Sequence, residues 1–125
     1  MLTAILLGFG ATAAIARQEI SHIPTLLSDS DVAAIKTALI ADWHGSSGPE
    51  FAKIIASADQ AGAITVCGFE RGKVVSGNNT GMQPFIGVLT RLPWRFTVNA
   101  SNNDGAMAAN VLKSCREHGL YLIPE

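Results

Sequence analysis

No charged side chain occurs before Arg17: all nine Lys/Arg and all ten Asp/Glu follow the opening segment MLTAILLGFGATAAIA. This break decides how much chain is left to fold. Leu2 to Ala13 has the length of a signal-peptide apolar core and is too short to cross a bilayer as a helix, which takes about 20 residues. Ala14-Ile15-Ala16 supplies the small-x-small pattern that signal peptidase accepts. The segment predicts a signal peptide over residues 1–16 and a single α+β domain over residues 17–125. Two rivals stand beside it. One is an uncleaved N-terminal anchor. The other is a dinucleotide-binding turn: Gly8-Phe9-Gly10-Ala11-Thr12-Ala13 fits G-x-G-x-x-A, with Asp29 and Asp31 near the place of a ribose-binding acid. That fold needs repeated βαβ units, and the pattern beyond Ser30 shows none.

A chain of 125 residues allows one domain. A hydrophobic fraction of 48% with 15% charged residues is enough to build a core. The net charge of −1 argues against general nucleic-acid binding, which needs a basic footprint, and against electrostatic docking on a membrane.

Along the domain, Arg17 to Leu27 reads as an irregular or partly helical lead-in, broken by Pro24. Ser28-Asp29-Ser30-Asp31 is a helix start, because short polar side chains accept from free backbone N–H groups there. Val32, Ile35, Leu39 and Trp43 keep helical spacing, which predicts a helix over Asp31–Asp42. Phe51–Ser57 is read as a strand or a short helix leading into one. Ala63–Phe69 and Pro84–Leu89 read as strands, and Trp94–Asn99 as a half-exposed strand. Glu70–Gly81 is read as a long exposed connection. A final helix starts at Asn102–Gly105 and ends at Gly119, with Met107, Val111, Leu112 and Cys115 as its buried stripe. The expected architecture is a small antiparallel sheet with an N-terminal and a C-terminal helix packed on one face.

Cys67 and Cys115 are the two cysteines. In an exported protein they meet an oxidising compartment, and both fall on apolar faces, so a Cys67–Cys115 disulfide is expected. Two separate buried thiols and a catalytic Cys67 are the alternatives; the last needs a base that the sequence does not place. His22, His44 and His118 form no metal-ligand spacing, and Asp42 with His44 is too small a set. No metal and no cofactor are expected. Asn78-Asn79-Thr80 and Asn99-Ala100-Ser101 fit the N-glycosylation pattern. Arg91 and Arg95 flank Pro93 and Trp94 and are read as a solvated strand face rather than an anion site.

The stretch CGFERGKVVSGNNTGMQPF, Cys67 to Phe85, resembles the motif C-G-x-V-N-A-K-N-x-x-G-G-x-x-G-x-x-P-F of a family of small secreted or periplasmic bacterial proteins of unknown function. Cys67, Gly68, Lys73, Gly77, Gly81, Pro84 and Phe85 match it without a gap. Glu70-Arg71-Gly72, Val74 and Asn78 depart from it. The resemblance implies export and a disulfide-compatible α+β fold, and it implies no activity.

Together these readings predict a small exported protein, periplasmic or secreted, that acts by binding. Its contact surface is placed on the polar connection, at Arg71, Lys73, Asn78 and Asn79. The partner is a protein or small ligand of the cell envelope, with no nucleic acid and no stable membrane span after processing. The alternatives are a small enzyme with a site built from dispersed residues, or an envelope-anchored structural domain.

Overall fold

A computed structural model describes residues 22–43, 48–71, 81–101 and 107–123 of the chain. The signal segment expected over residues 1–16 lies outside them. The described elements are β1 (His22–Thr25), α1 (Asp29–Asp42), β2 (Glu50–Asp59), β3 (Ile64–Arg71), β4 (Gln83–Arg91), β5 (Trp94–Ser101) and α2 (Ala108–Glu117). The strands form one sheet in the order β1-β2-β3-β4-β5. All four pairings are antiparallel, so the sheet contains no βαβ crossover of the kind a dinucleotide-binding fold uses.

Strand register assigns every side chain to a layer. Val66 pairs with Gly87 and Cys67 with Ile86, and successive strand residues point to opposite faces. On one face Ile64, Val66, Phe85, Leu89 and Phe96 meet Ile35 and Leu39 of α1. On the other, Cys67 and Ile86 meet Val111 and Cys115 of α2, with Leu120 beyond it.

The two helices therefore cover opposite faces of a five-stranded sheet. This overturns the expected arrangement, an N-terminal and a C-terminal helix on one face. The cause lies in β3, whose residues from Ile64 to Glu70 are all buried. A strand apolar on both sides needs a covering layer on each. The first helix is also not the first element: the supposed irregular lead-in contains β1, an edge strand paired His22–Asp59 through Thr25–Ala56. The ambiguous Phe51 region is part of β2, which bends where the register shifts between Ala52 and Ile55.

Local chemistry sets the helix ends. Ser28 caps α1 in a reciprocal box: its Oγ accepts from the Asp31 N–H at 3.1 Å, and its own N–H donates to Asp31 at 2.8 Å. The last helix ends in a Schellman motif. Gly119, at φ 75°, donates to the Arg116 carbonyl, and Leu120 to that of Cys115, each at 2.9 Å. Leu120 thereby drops into the second core layer. Met107, expected on the buried stripe, is instead exposed.

Two glycines let aromatic rings lie flat across strands. A Cβ on Gly68 would sit 2.8 Å from the Phe85 ring, and one on Gly87 would collide with the Phe96 ring and the Thr97 carbonyl. Gly87→Ala is expected to cost about 2–3 kcal/mol, as overpacking does. Gly62→Ala, at a turn with φ 88° and open space around it, should cost about 1 kcal/mol from backbone strain alone. Urea denaturation of the two variants checks the order.

Candidate functional site

A polar constellation is centred on Asp31, which is fully buried. Its carboxylate lies at the first turn of α1 and accepts from four N–H groups. Arg91 at the end of β4 donates through Nε at 3.0 Å and Nη2 at 2.8 Å. Trp94 at the start of β5 donates through Nε1 at 2.9 Å, and the Ser28 backbone completes the set. Arg91 Nη2 also reaches the Leu26 carbonyl at 3.2 Å. One carboxylate thus ties the β1–α1 link, the helix start and the β4–β5 hairpin together. Hydrogen bonds from Arg91, with those from Ser28 and Trp94, hold the Asp31 carboxyl far below the usual carboxylate range, against the opposing effect of burial. The same contact raises the Arg91 guanidinium.

Of the residues proposed for binding, Arg71 alone is described. It is the last residue of β3, and its Nη2 pairs with Glu50 of β2 at 2.7 Å, both side chains being largely exposed. Lys73, Asn78 and Asn79 lie outside the described residues, as does His44. The polar connection begins later than expected, because Glu70 is a buried β3 residue, 2% exposed, rather than part of an exposed loop.

The expected disulfide is present. Cys67 and Cys115 are bonded, with Cα atoms 6.2 Å apart, and both are fully buried. A nucleophilic Cys67 is thereby excluded. The rings of His22 and His118 meet edge to face at 5.5 Å. His118 Nδ1 lies 2.8 Å from the Ser114 carbonyl, a contact local to the helix end. Among the described residues no three His, Cys, Asp or Glu side chains are placed to share a metal ion. No described helix is long and apolar enough to cross a membrane.

Two apolar depressions flank α1. One, of about 520 Å³, opens beside the edge strand β1 and is lined by His22, Leu26, Val32, Ile54 and Leu120 among others. The other, of about 530 Å³, runs between α1 and β5, past Ala33, Ala34, Ala38, Trp94 and Phe96. Sequence reading missed the Asp31 constellation. It saw Asp31 as a helix-start residue and Arg91 as part of a solvated face, and no local pattern links positions 60 residues apart.

No family model matches the chain, and no curated protein or solved structure matches it either.

Because the folded pKa of Asp31 is depressed, its contribution to stability is complete above the unfolded value of about 3.9 and is lost as pH falls below it. Asp31→Asn should lower stability at pH 7 by about 2 kcal/mol. Below pH 4 its acid limb should be shallower than the wild type's by up to about 1.4 kcal/mol per pH unit, the slope of one proton. Urea midpoints from pH 7 to pH 2 measure both effects.

The disulfide closes a loop with a sequence separation of 48. Reduction should destabilise the fold by up to about 4 kcal/mol, and Cys67→Ser about as much as the double variant with Cys115→Ser. Thiol titration of unfolded, unreduced native protein should find no free thiol.

Proposed function

We propose that the chain is an exported protein, periplasmic or secreted, that acts by binding rather than by catalysis. The observation that carries this reading is the buried Cys67–Cys115 disulfide, since such bonds persist in oxidising compartments. The charge-free segment ahead of Arg17, with its Ala-Ile-Ala site, supports the same destination. So does the resemblance of Cys67–Phe85 to small secreted or periplasmic bacterial proteins.

Binding is favoured over catalysis by the engagement of the groups an enzyme would need. Cys67 is bonded to Cys115, Glu50 faces Arg71, and His118 packs on His22. The contact surface is assigned to the connection after β3, around Arg71, Lys73, Asn78 and Asn79. Segments between strands carry recognition more often than the strands do, and β3 and β4 are paired in register on either side of residues 72–80.

The mature protein is expected to begin at Arg17, and intact mass of native material reads this directly. A soluble cytosolic species retaining Met1 contradicts export. Replacing Arg71 and Lys73 by Ala should leave the Tm nearly unchanged, because an exposed ion pair contributes about 0–1 kcal/mol. Cross-linking in the native envelope fraction should capture a partner with the wild type and lose it with the Lys73→Ala, Asn78→Ala, Asn79→Ala variant. Equal capture by both removes the loop from the contact surface.

A further inference from the structure

Among the described residues, Lys53 is the one non-glycine residue with a positive φ, 55°. It sits in β2 where the register against β3 shifts, between Ala52 and Ile55. A glycine takes such an angle at no steric cost, whereas a residue with a Cβ resists it. Strain of this kind persists where the surrounding structure requires it. Here the lysine performs a task that a glycine could not: its Nζ donates to the Ile123 carbonyl at 2.7 Å, 70 positions further along the chain.

That bond closes a strap. Helix α2 ends at Glu117 and the chain reverses at Gly119. Ser57 Oγ donates to the His118 carbonyl at 2.7 Å, and Lys53 holds Ile123, so the segment between runs back along β2. Its side chains alternate. Leu120 and Leu122 turn onto the cluster that contains Cys67 and Cys115, while Tyr121 and Ile123 are exposed. Between Ser57 and Lys53, Ile55 pairs with Cys67 across the β2–β3 ladder and packs on the same cluster. The cluster that holds the disulfide is therefore closed by α2 and by the strap, and both cysteines are fully buried. The far end of the strap is held by one exposed hydrogen bond and the half-buried Leu122. So few contacts mark a segment of low local stability.

We propose that the strap Leu120–Ile123 is a redox gate. Closed, it keeps reductants from the Cys67–Cys115 bond; lifted from Lys53, it admits a dithiol that reduces the bond while the protein stays folded. Thiol–disulfide exchange needs access to a sulfur, which burial denies. Once access is given, the step balances. One thiolate of the dithiol attacks a sulfur of the Cys67–Cys115 bond, breaks it and forms a mixed disulfide. The second thiol attacks the dithiol sulfur of that intermediate and displaces the remaining protein sulfur. The dithiol leaves as a disulfide, and Cys67 and Cys115 become thiols, having taken up two electrons and two protons. The gate goes beyond the binding reading and does not depend on it: the link that fastens α2 to the sheet becomes one that can be released without unfolding the sheet.

Reduction of the native oxidised protein by dithiothreitol without denaturant tests this, with quenching by iodoacetamide and intact mass to count alkylated thiols against time. Lys53→Gly should be reduced about tenfold faster than the wild type, as loss of a hydrogen bond to a charged group predicts. Its Tm should be unchanged or higher, because glycine relieves the left-handed backbone. Lys53→Met, which keeps the backbone angle and loses the donor, should be reduced as fast as Lys53→Gly. Leu122→Ser should also be reduced faster than the wild type. Gly62→Ala, which weakens the whole fold at a turn away from the strap, should keep the wild-type rate. Wild-type rates for Lys53→Met and Leu122→Ser overturn the gate. So does a Gly62→Ala rate raised as much as theirs, since reduction then follows global unfolding.

Discussion

The buried carboxylate of Asp31 is the interaction on which the α1 side of this fold depends. It performs three tasks that are usually divided among residues. As the third residue of α1 it closes the capping box with Ser28. Through Arg91 it fixes the end of β4, and through Trp94 the start of β5. A buried charge is costly without partners, and here the cost is offset by two bonds from a guanidinium, one from an indole and one from the backbone. Removing any donor leaves part of the cost of burying the carboxylate uncompensated, so the four contributions are not independent. That property makes the network a device for register. The bonds to Arg91 and Trp94 align the β4–β5 hairpin with the helix start.

The sheet imposes the second constraint. In β3 the run Ile64 to Glu70 is buried throughout, which is uncommon for an antiparallel strand and more typical of strands covered on both faces. Three layers follow. Gly68 and Gly87 then take their meaning from thickness: each leaves space for an aromatic ring, Phe85 or Phe96, to lie across the neighbouring strand. The two rings meet edge to face at 6.1 Å, and the layer facing α1 is built around them.

Much of this was legible in the sequence, and the failures have physical causes. The strands at Ala63, Pro84 and Trp94 were found by β-branched and alternating patterns, the start of α1 by its Ser-Asp-Ser-Asp cluster, and the end of α2 by Gly119. The disulfide was found because both cysteines sit in apolar periodicity. The layer order was misread although its signal was present: a continuous apolar run in β3 asks for two covers, and the reading supplied one. The strand β1 was missed because Pro24 interrupts it. An edge strand tolerates proline, since one side of its backbone makes no ladder bonds. Glu70 was assigned to a loop from its charge, whereas its burial depends on tertiary neighbours that no local window contains. The Asp31–Arg91 pair was invisible for the same reason.

The two faces of the sheet are secured by different chemistry, and the size of each helix explains why. Within α2 the fully buried side chains are Val111 and Cys115; within α1, the buried apolar side chains are Ile35 and Leu39. At about 1.5–3 kcal/mol for each fully buried large apolar side chain, neither helix is held strongly by packing alone. Each has one specific fastening instead. For α2 it is the covalent link from Cys115 to Cys67 in the central strand. For α1 it is the salt bridge from Asp31 to Arg91. The first responds to redox potential and is indifferent to moderate acid; the second responds to acid and is indifferent to reductant. A compartment that is oxidising and not strongly acidic satisfies both at once. Of the two, the disulfide alone is informative about surroundings and is consistent with an oxidising compartment; the Asp31–Arg91 pair persists at any pH above the carboxylate range.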